Sequence, residues 1–193
     1  MNRIPVPVAL AAGTSALALS ACIAVIGVEP DELQLDHDHT HVHSQGHDGF
    51  ARATLRATSG SELEGYATFE AREGGVQVSL SVEDVEPGWH AVHIHELGDC
   101  SADDGSSAGG HFNPDGHAHG APHAPEHHAG DLGNMWVDED GNGYHSIFMP
   151  RLAIDGGPFG VVGRALVVHA GADDLSSQPS GAAGSRIGCG EIR

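Results

Sequence analysis

Between Gly75 and Val82 the chain reads GVQVSLSV, so that Val76, Val78, Leu80 and Val82 alternate with polar neighbours. A period of two places those four side chains on one face of an extended backbone, as a half-buried β-strand requires. The preceding EGYATFEAR alternates as well, Ala67 and Phe69 against Tyr66, Thr68 and Glu70, and Glu73-Gly74-Gly75 between them predicts a hairpin. A second strand-turn-strand unit is predicted for MWVDEDGNGYHSIFM, with Asp140-Gly141-Asn142-Gly143 as its turn. WHAVHIH, ending at His95, and GRALVVHA, from Gly163 to Ala170, predict two more strands, the latter buried. Two stretches lack any such pattern, one from about Gly98 to Gly130 and one from Ala170 to Ser185. A loop as long as the first, inside a compact domain, has a function or is held by something other than a core. Many short strands with two long loops predict an all-β domain, either a β-sandwich or a flattened barrel.

Composition narrows this further. Aromatic residues make up 5% of the 193 residues and there are 28 glycines, a balance that suits short strands and turns and a single domain. The formal charge is −19, and all eight basic residues are arginine. Such a surface repels polyanions, which excludes nucleic acid as a partner. Met1 to Ala21 carries an early Arg3 and an apolar run, and reads as a secretory signal. It closes on Leu19-Ser20-Ala21-Cys22, which resembles a bacterial lipobox; the resemblance implies lipidation of Cys22, a lipid anchor in a membrane, and location in the periplasm or cell envelope, the alternative being ordinary signal cleavage near Ala21 that leaves Cys22 a free thiol. Residues 22–48 are polar, acidic and histidine-rich, and read as a tether reaching at most about 85 Å. In an extended tether His37, His39, His41 and His43 fall on one side, as a weak metal-catching strip requires; a plain hydrophilic linker is the alternative. The folded domain is then 49–193.

The chemistry lies in the histidines. Along WHAVHIH, Val92 and Ile94 share one face while His93 and His95 share the other, and in GRALVVHA His169 lies opposite Leu166 and Val168. Two strands can thus bring three imidazoles to one place outside the core. The long loop adds His111, His117, His119, His123, His127, His128 and Asp131 among Gly and Pro. A metal held by nitrogen and carboxylate oxygen is one cross-link for a loop that cannot form a core. The spacing does not say which of these residues bind. Export permits disulfides, and with Cys22 set aside, Cys100 and Cys189 remain as a pair.

The segments GWHAVHIH with GDC, AGGHFNP, HHAGDLGN, GRALVVHAGADDL and GAAGSRIGCG, in that order from Gly88 to Gly190, resemble the copper/zinc superoxide dismutase family. The resemblance implies a Greek-key β-sandwich or flattened eight-stranded β-barrel with two long functional loops. It implies copper on His93, His95, His111 and His169, zinc on His111, His119, His128 and Asp131, and His111 shared between them as an imidazolate. It also implies that Asp173 holds the outer nitrogens of His93 and His119, that Arg186 orients the superoxide anion, and that Cys100 and Cys189 form a disulfide. His117, His123 and His127 match no ligand position, and His90 falls on the core side as a hydrogen-bonded structural residue. The implied reaction is dismutation of superoxide to dioxygen and hydrogen peroxide by alternate reduction and reoxidation of copper, with His111 carrying a proton to the product. The chain departs from the family at Ala91, where glycine is usual, at Ala182, where asparagine is common, and in a short, lysine-free loop before Arg186. Oligomeric state is not carried over. Two other readings are a metal-buffering protein on the same fold, which has no use for an anion-orienting arginine, and an adhesion sandwich, which leaves the histidines without a role.

Overall fold

The computed structural model describes residues 48–193. The signal segment, Cys22 and the histidines from His37 to His47 lie outside the described residues. Eight strands follow in order: β1 Phe50–Ala57, β2 Glu64–Arg72, β3 Gly75–Glu83, β4 Gly88–His95, β5 Asp131–Val137, β6 Gly143–Met149, β7 Ala165–His169 and β8 Arg186–Glu191. They close into one antiparallel barrel in the order β1-β2-β3-β6-β5-β4-β7-β8. Of the sandwich and barrel alternatives, the closed barrel is the one formed, and closure leaves no unpaired edge to invite aggregation. The seam pairs Arg56 with Cys189 and Ala57 with Gly188. The joint between β5 and β6 is looser, with Val137 opposite Gly143 as its one ladder pair. Beyond it the two strands splay, and His145 Nε2 donates to Leu132 O across the gap at 2.9 Å.

The alternation read from sequence is the packing pattern. Ala51, Ala53, Leu55, Phe69, Val76, Val78, Leu80, Val92, Ile94, Leu166 and Val168 point inward and are fully buried. Burial of each large aliphatic or aromatic side chain contributes about 1.5 to 3 kcal/mol before the opposing chain entropy. Both expected turns form. Arg72 pairs with Gly75, which leaves Glu73 and Gly74 as the two-residue loop, with Gly74 at φ +82. In the second, Asp138 Oδ1 accepts the Asp140 and Asn142 amides at 3.0 and 2.9 Å. The chain then crosses the barrel ends twice, from β3 to β4 and from β6 to β7, as a Greek key does.

The residues between β4 and β5 and those between β7 and β8 cover the outer face of β4 and β7. Their attachments replace a core. Cys100 and Cys189 form a disulfide across 89 residues of sequence, tying the longer loop to β8; in the chain-entropy account such a closure contributes about 4 to 5 kcal/mol. A short 3-10 turn, Ser106–Ala108, lies just beyond it. The two single-residue departures from the family are both accommodated. Ala91 is buried, donates to Gly171 O at 2.9 Å, and borders an irregularity in the β4–β5 register. Ala182 sits at φ +53, a left-handed conformation that costs an L-residue with a Cβ about 1 kcal/mol.

Candidate metal centre

His93 and His95 project from β4 on the side away from the core, yet are only 0% and 1% exposed because the two loops lie over them. His169 ends β7, whose Val168 pairs with Val92 of β4. His111 is brought in by an isolated bridge between its backbone and that of His95. One ligand atom from each of His93, His95, His111 and His169 lies within 4.8 Å of the other three. The outward nitrogens are engaged: His93 Nε2 donates to Asp173 Oδ2 at 2.9 Å and His95 Nδ1 to Gly109 O at 2.9 Å, while His169 Nδ1 is 3.4 Å from Gly184 O. The inward nitrogens are not, since His93 Nδ1 and His111 Nε2 are buried without a partner and His95 Nε2 is 3.4 Å from His169 Nε2. A buried polar atom left unpaired costs about 1 to 3 kcal/mol. Several of them converging are the mark of a cation's seat. Burial lowers His93 to about 4, His95 to about 2 and His169 to about 3, so that all three imidazoles are neutral and able to donate at neutral pH.

The second cluster adjoins the first through the same ring. Asp131, the first residue of β5, places Oδ1 2.9 Å from His111 Nδ1, 3.0 Å from His119 Nδ1 and 3.3 Å from His128 Nδ1. His111 thus presents Nδ1 to this cluster and Nε2 to the other. The other oxygen, Asp131 Oδ2, accepts the His128 and Gly120 amides at 2.8 and 3.1 Å, which fixes the carboxylate. Burial raises the Asp131 carboxyl, but the bonds from His111 and His128 outweigh it and hold the group ionised, well below the ordinary range. His119 Nδ1 is a third buried cluster nitrogen without a well-directed hydrogen bond, although it lies 3.0 Å from Asp131 Oδ1. His93, His111, His119 and Asp131 also place ligand atoms within 4.8 Å of one another. Since His93 Nε2 is bonded to Asp173, its Nδ1 alone is available, and it faces the first cluster as well.

Asp173 links the two. Its Oδ1 accepts from His119 Nε2 at 2.8 Å and its Oδ2 from His93 Nε2, so one carboxylate orients a ring in each cluster. Burial would raise Asp173, and the bonds from His93 and His119 bring it below its usual value. Its backbone is gripped on both sides by Asn134, which accepts from the Asp173 amide at 2.7 Å and donates to its carbonyl at 2.9 Å. Gln178 grips His119 in the same way, at 2.8 and 2.9 Å. Gly181, at φ +68, has no room for a side chain: a Cβ there would lie 1.9 Å from Asp173 Oδ1.

Arg186, at the start of β8, is half-buried and aligned by two carbonyls, Gly105 O at 2.5 Å from Nη1 and Gly109 O at 2.6 Å from Nη2. Gly109 O also accepts from His95 Nδ1, which puts Arg186 beside the first cluster, and its charge adds to the lowering of both His95 and His169. Of the remaining histidines, His90 is buried with Nδ1 2.8 Å from His169 O and Nε2 2.7 Å from Glu86 O. His127 is buried against His128 O, and neither His117, His123 nor His127 joins a cluster among the described residues. Sequence reasoning did not single out Asn134, Gln178, Gly109 or Gly181. Asn134, Gly109 and Gly181 stood inside the HHAGDLGN, AGGHFNP and GAAGSRIGCG segments and could have been found there; nothing in the sequence marks Gln178.

Residues 63–192 match the family model described as copper/zinc superoxide dismutase. "Superoxide dismutase [Cu-Zn] 2" of Brassica juncea is 45% identical over 127 residues, 62% of this chain and 82% of that protein. Among solved structures, that of the clock protein EA4 is 36% identical with a TM-score of 0.67, covering 75% of this chain and 93% of the other. The match runs from before β2 to the end of β8 and takes in every residue of both histidine clusters, and on that ground the chain belongs to the copper/zinc superoxide dismutase family.

Proposed function

We propose that this chain, a superoxide dismutase with a copper and a zinc site, uses the ligand sets named from sequence: His93, His95, His111 and His169 for copper, and His111, His119, His128 and Asp131 for zinc. The observation that carries this is that three of the four buried, unpartnered ring nitrogens among the described residues, His93 Nδ1, His111 Nε2 and His119 Nδ1, are aimed into two clusters that share one imidazole; the fourth, His117 Nδ1, lies outside them. The donor chemistry fits both ions, four imidazoles for copper and three imidazoles with one carboxylate for zinc. Copper, when bound, supplies the one-electron couple that oxidises one superoxide and reduces the next, and zinc supplies a fixed positive charge. The chain's own residues do the rest. Arg186, aligned by two carbonyls, offers its remaining donors to the anionic substrate. His111 Nε2 would hold the proton destined for the reduced product only while it is not engaged with copper, since its one lone pair serves either. Asp173 keeps His93 and His119 in the tautomer that turns one nitrogen inward.

A short loop without lysine leaves Arg186 as the local positive group in a chain of charge −19, so attraction of the substrate acts at short range. The test is superoxide decay by protein loaded with copper and zinc, against Arg186→Ala at equal metal content. A loss of roughly tenfold or more is expected. Full occupancy without turnover in the unsubstituted protein would instead favour metal buffering.

The Leu19–Cys22 segment and the acidic composition of residues 23–48 support an exported, lipid-anchored form held off a membrane in the periplasm or cell envelope. Expression of Cys22→Ser is expected to move the protein from the membrane to the soluble fraction. Retention in the membrane fraction would count against the anchor.

A further inference from the structure

Glu96, the residue after His95, belongs to neither histidine cluster, and its side chain is exposed. Its carboxylate nonetheless meets the one peptide group that touches both a copper-side histidine and Arg186. The Gly110 amide donates to Glu96 Oε1 at 3.0 Å. The carbonyl of that same peptide unit, Gly109 O, accepts from His95 Nδ1 at 2.9 Å and from Arg186 Nη2 at 2.6 Å. The Glu96 backbone completes the clamp by donating to Gly110 O at 2.9 Å.

We propose that Glu96 is a positioning residue that acts through the Gly109–Gly110 peptide to set both the donor strength of His95 and the seat of Arg186. The N–H and C=O of a peptide are conjugated, and hydrogen bonds in a chain polarise one another. A negative carboxylate at the N–H end therefore makes the carbonyl end a stronger acceptor. At Gly109 O that added electron density pulls on the His95 Nδ1 proton, which makes Nε2, facing the cluster, a better donor to a metal. The same carbonyl holds one arm of the guanidinium. The arrangement needs glycine at position 109, where φ is +75 and a Cβ would lie 2.6 Å from Glu96 Oε1. Arg164 steadies Glu96 from the other side, donating from Nη1 to Glu96 O at 3.1 Å while its guanidinium lies 3.5 Å over the Phe112 ring.

This inference rests on the assignment of His95 to copper and of Arg186 to the anion, and the experiment separates the two failures. Wild type, Glu96→Ala, Glu96→Gln and Arg186→Ala are loaded with copper and zinc to equal occupancy. The midpoint potential of the copper couple, the Cu(II) EPR spectrum and the azide dissociation constant are then measured. Glu96→Ala is expected to raise the potential, alter the EPR hyperfine splitting and weaken azide roughly three- to tenfold, the size of one ordinary hydrogen bond transmitted through the peptide. Glu96→Gln keeps an acceptor and loses the charge, so it falls between. Asp103→Asn removes an exposed charge from the same loop without touching that peptide and should leave all three readings at the wild-type value. A Glu96→Ala protein matching wild type in potential and azide affinity, or an Asp103→Asn protein shifted as far as Glu96→Ala, would overturn the proposal. Unchanged azide affinity in Arg186→Ala would overturn the reading of Arg186 instead, and the potential would still decide the His95 half.

Discussion

β3 and β4 begin from the same sequence pattern and end in different surroundings. Both alternate, and the inward residues of each, Val76, Val78 and Leu80 in one and Val92 and Ile94 in the other, are fully buried. On the outer face of β3, Gln77, Ser79 and Ser81 keep contact with water, and Gln77 bonds the neighbouring Ser146 at 3.0 Å. On the outer face of β4, Trp89 is exposed, but His93 and His95 are sealed under the loops. Alternation separates two faces and says nothing about whether the polar one stays wet. What dries the far end of β4 is chain from elsewhere, held by a disulfide, a shared aspartate and side-chain grips on backbone. Drying changes the chemistry: a serine on the β3 face needs no partner, whereas an imidazole in the sealed site must find a hydrogen bond or a metal.

The contrast can be broken first at the ligands. His95→Ala should remove copper binding and lower activity by at least about 100-fold, the upper range for disturbing even a ligand's supporting contacts. Ser79→Ala, on the same kind of outer position in β3, should leave metal content and superoxide decay unchanged and alter stability by no more than about 0.5 kcal/mol. Equal losses in the two would erase the distinction.

Acid is the next lever. In the metal-free protein His93, His95 and His169 have pKa values lowered by burial, to about 4, 2 and 3, below the ordinary value of 6.5. Unfolding therefore takes up protons between those values, and stability rises with pH across that window. Full stability from these groups is present above about pH 6.5 and is lost as the pH falls towards 4, each group contributing at most about 1.4 kcal/mol per pH unit. His119 opposes them, because Asp173 and Asp131 outweigh its burial and raise it, but it is one group against three. Thermal unfolding of the apo form from pH 7 to 4 should show a falling Tm. A flat profile would mean that the outer face of β4 is not dry without its metals.

The smallest effect tests the covering loop alone. Ala182→Gly relieves a left-handed φ of +53 and should raise stability by about 1 kcal/mol or less, with activity retained. A destabilised variant would show that the Ala182 methyl group packs more favourably than its backbone is strained.

Much of this molecule was legible in advance, and unevenly so. The hairpins at Glu73-Gly74 and Asp140–Gly143 were readable because turn chemistry is local. The identities of the histidines came from elsewhere: spacing left seven loop candidates open, and resemblance to a family singled out those that the fold now gathers. Gln178, and the part played by the Gly109 carbonyl, were not readable. One grips the backbone of His119 across 59 residues of sequence, and the other acts through a carbonyl that every residue type possesses.

The sequence by itself determined the strand faces, the turns and the side-chain chemistry available for metals, because periodicity, φ preference and ligand type are properties of residues and their near neighbours. Only the tertiary structure decided that the sheet closes, that the polar face of β4 is buried, and that one peptide between two glycines serves His95, Arg186 and Glu96 together. Those outcomes depend on contacts between positions far apart in sequence: Cys100 and Cys189 are separated by 89 residues, and Arg56 and Cys189, paired across the barrel seam, lie farther apart still. Loop closure over such distances is set by which surfaces fit once the barrel exists, and no short stretch of sequence carries that information.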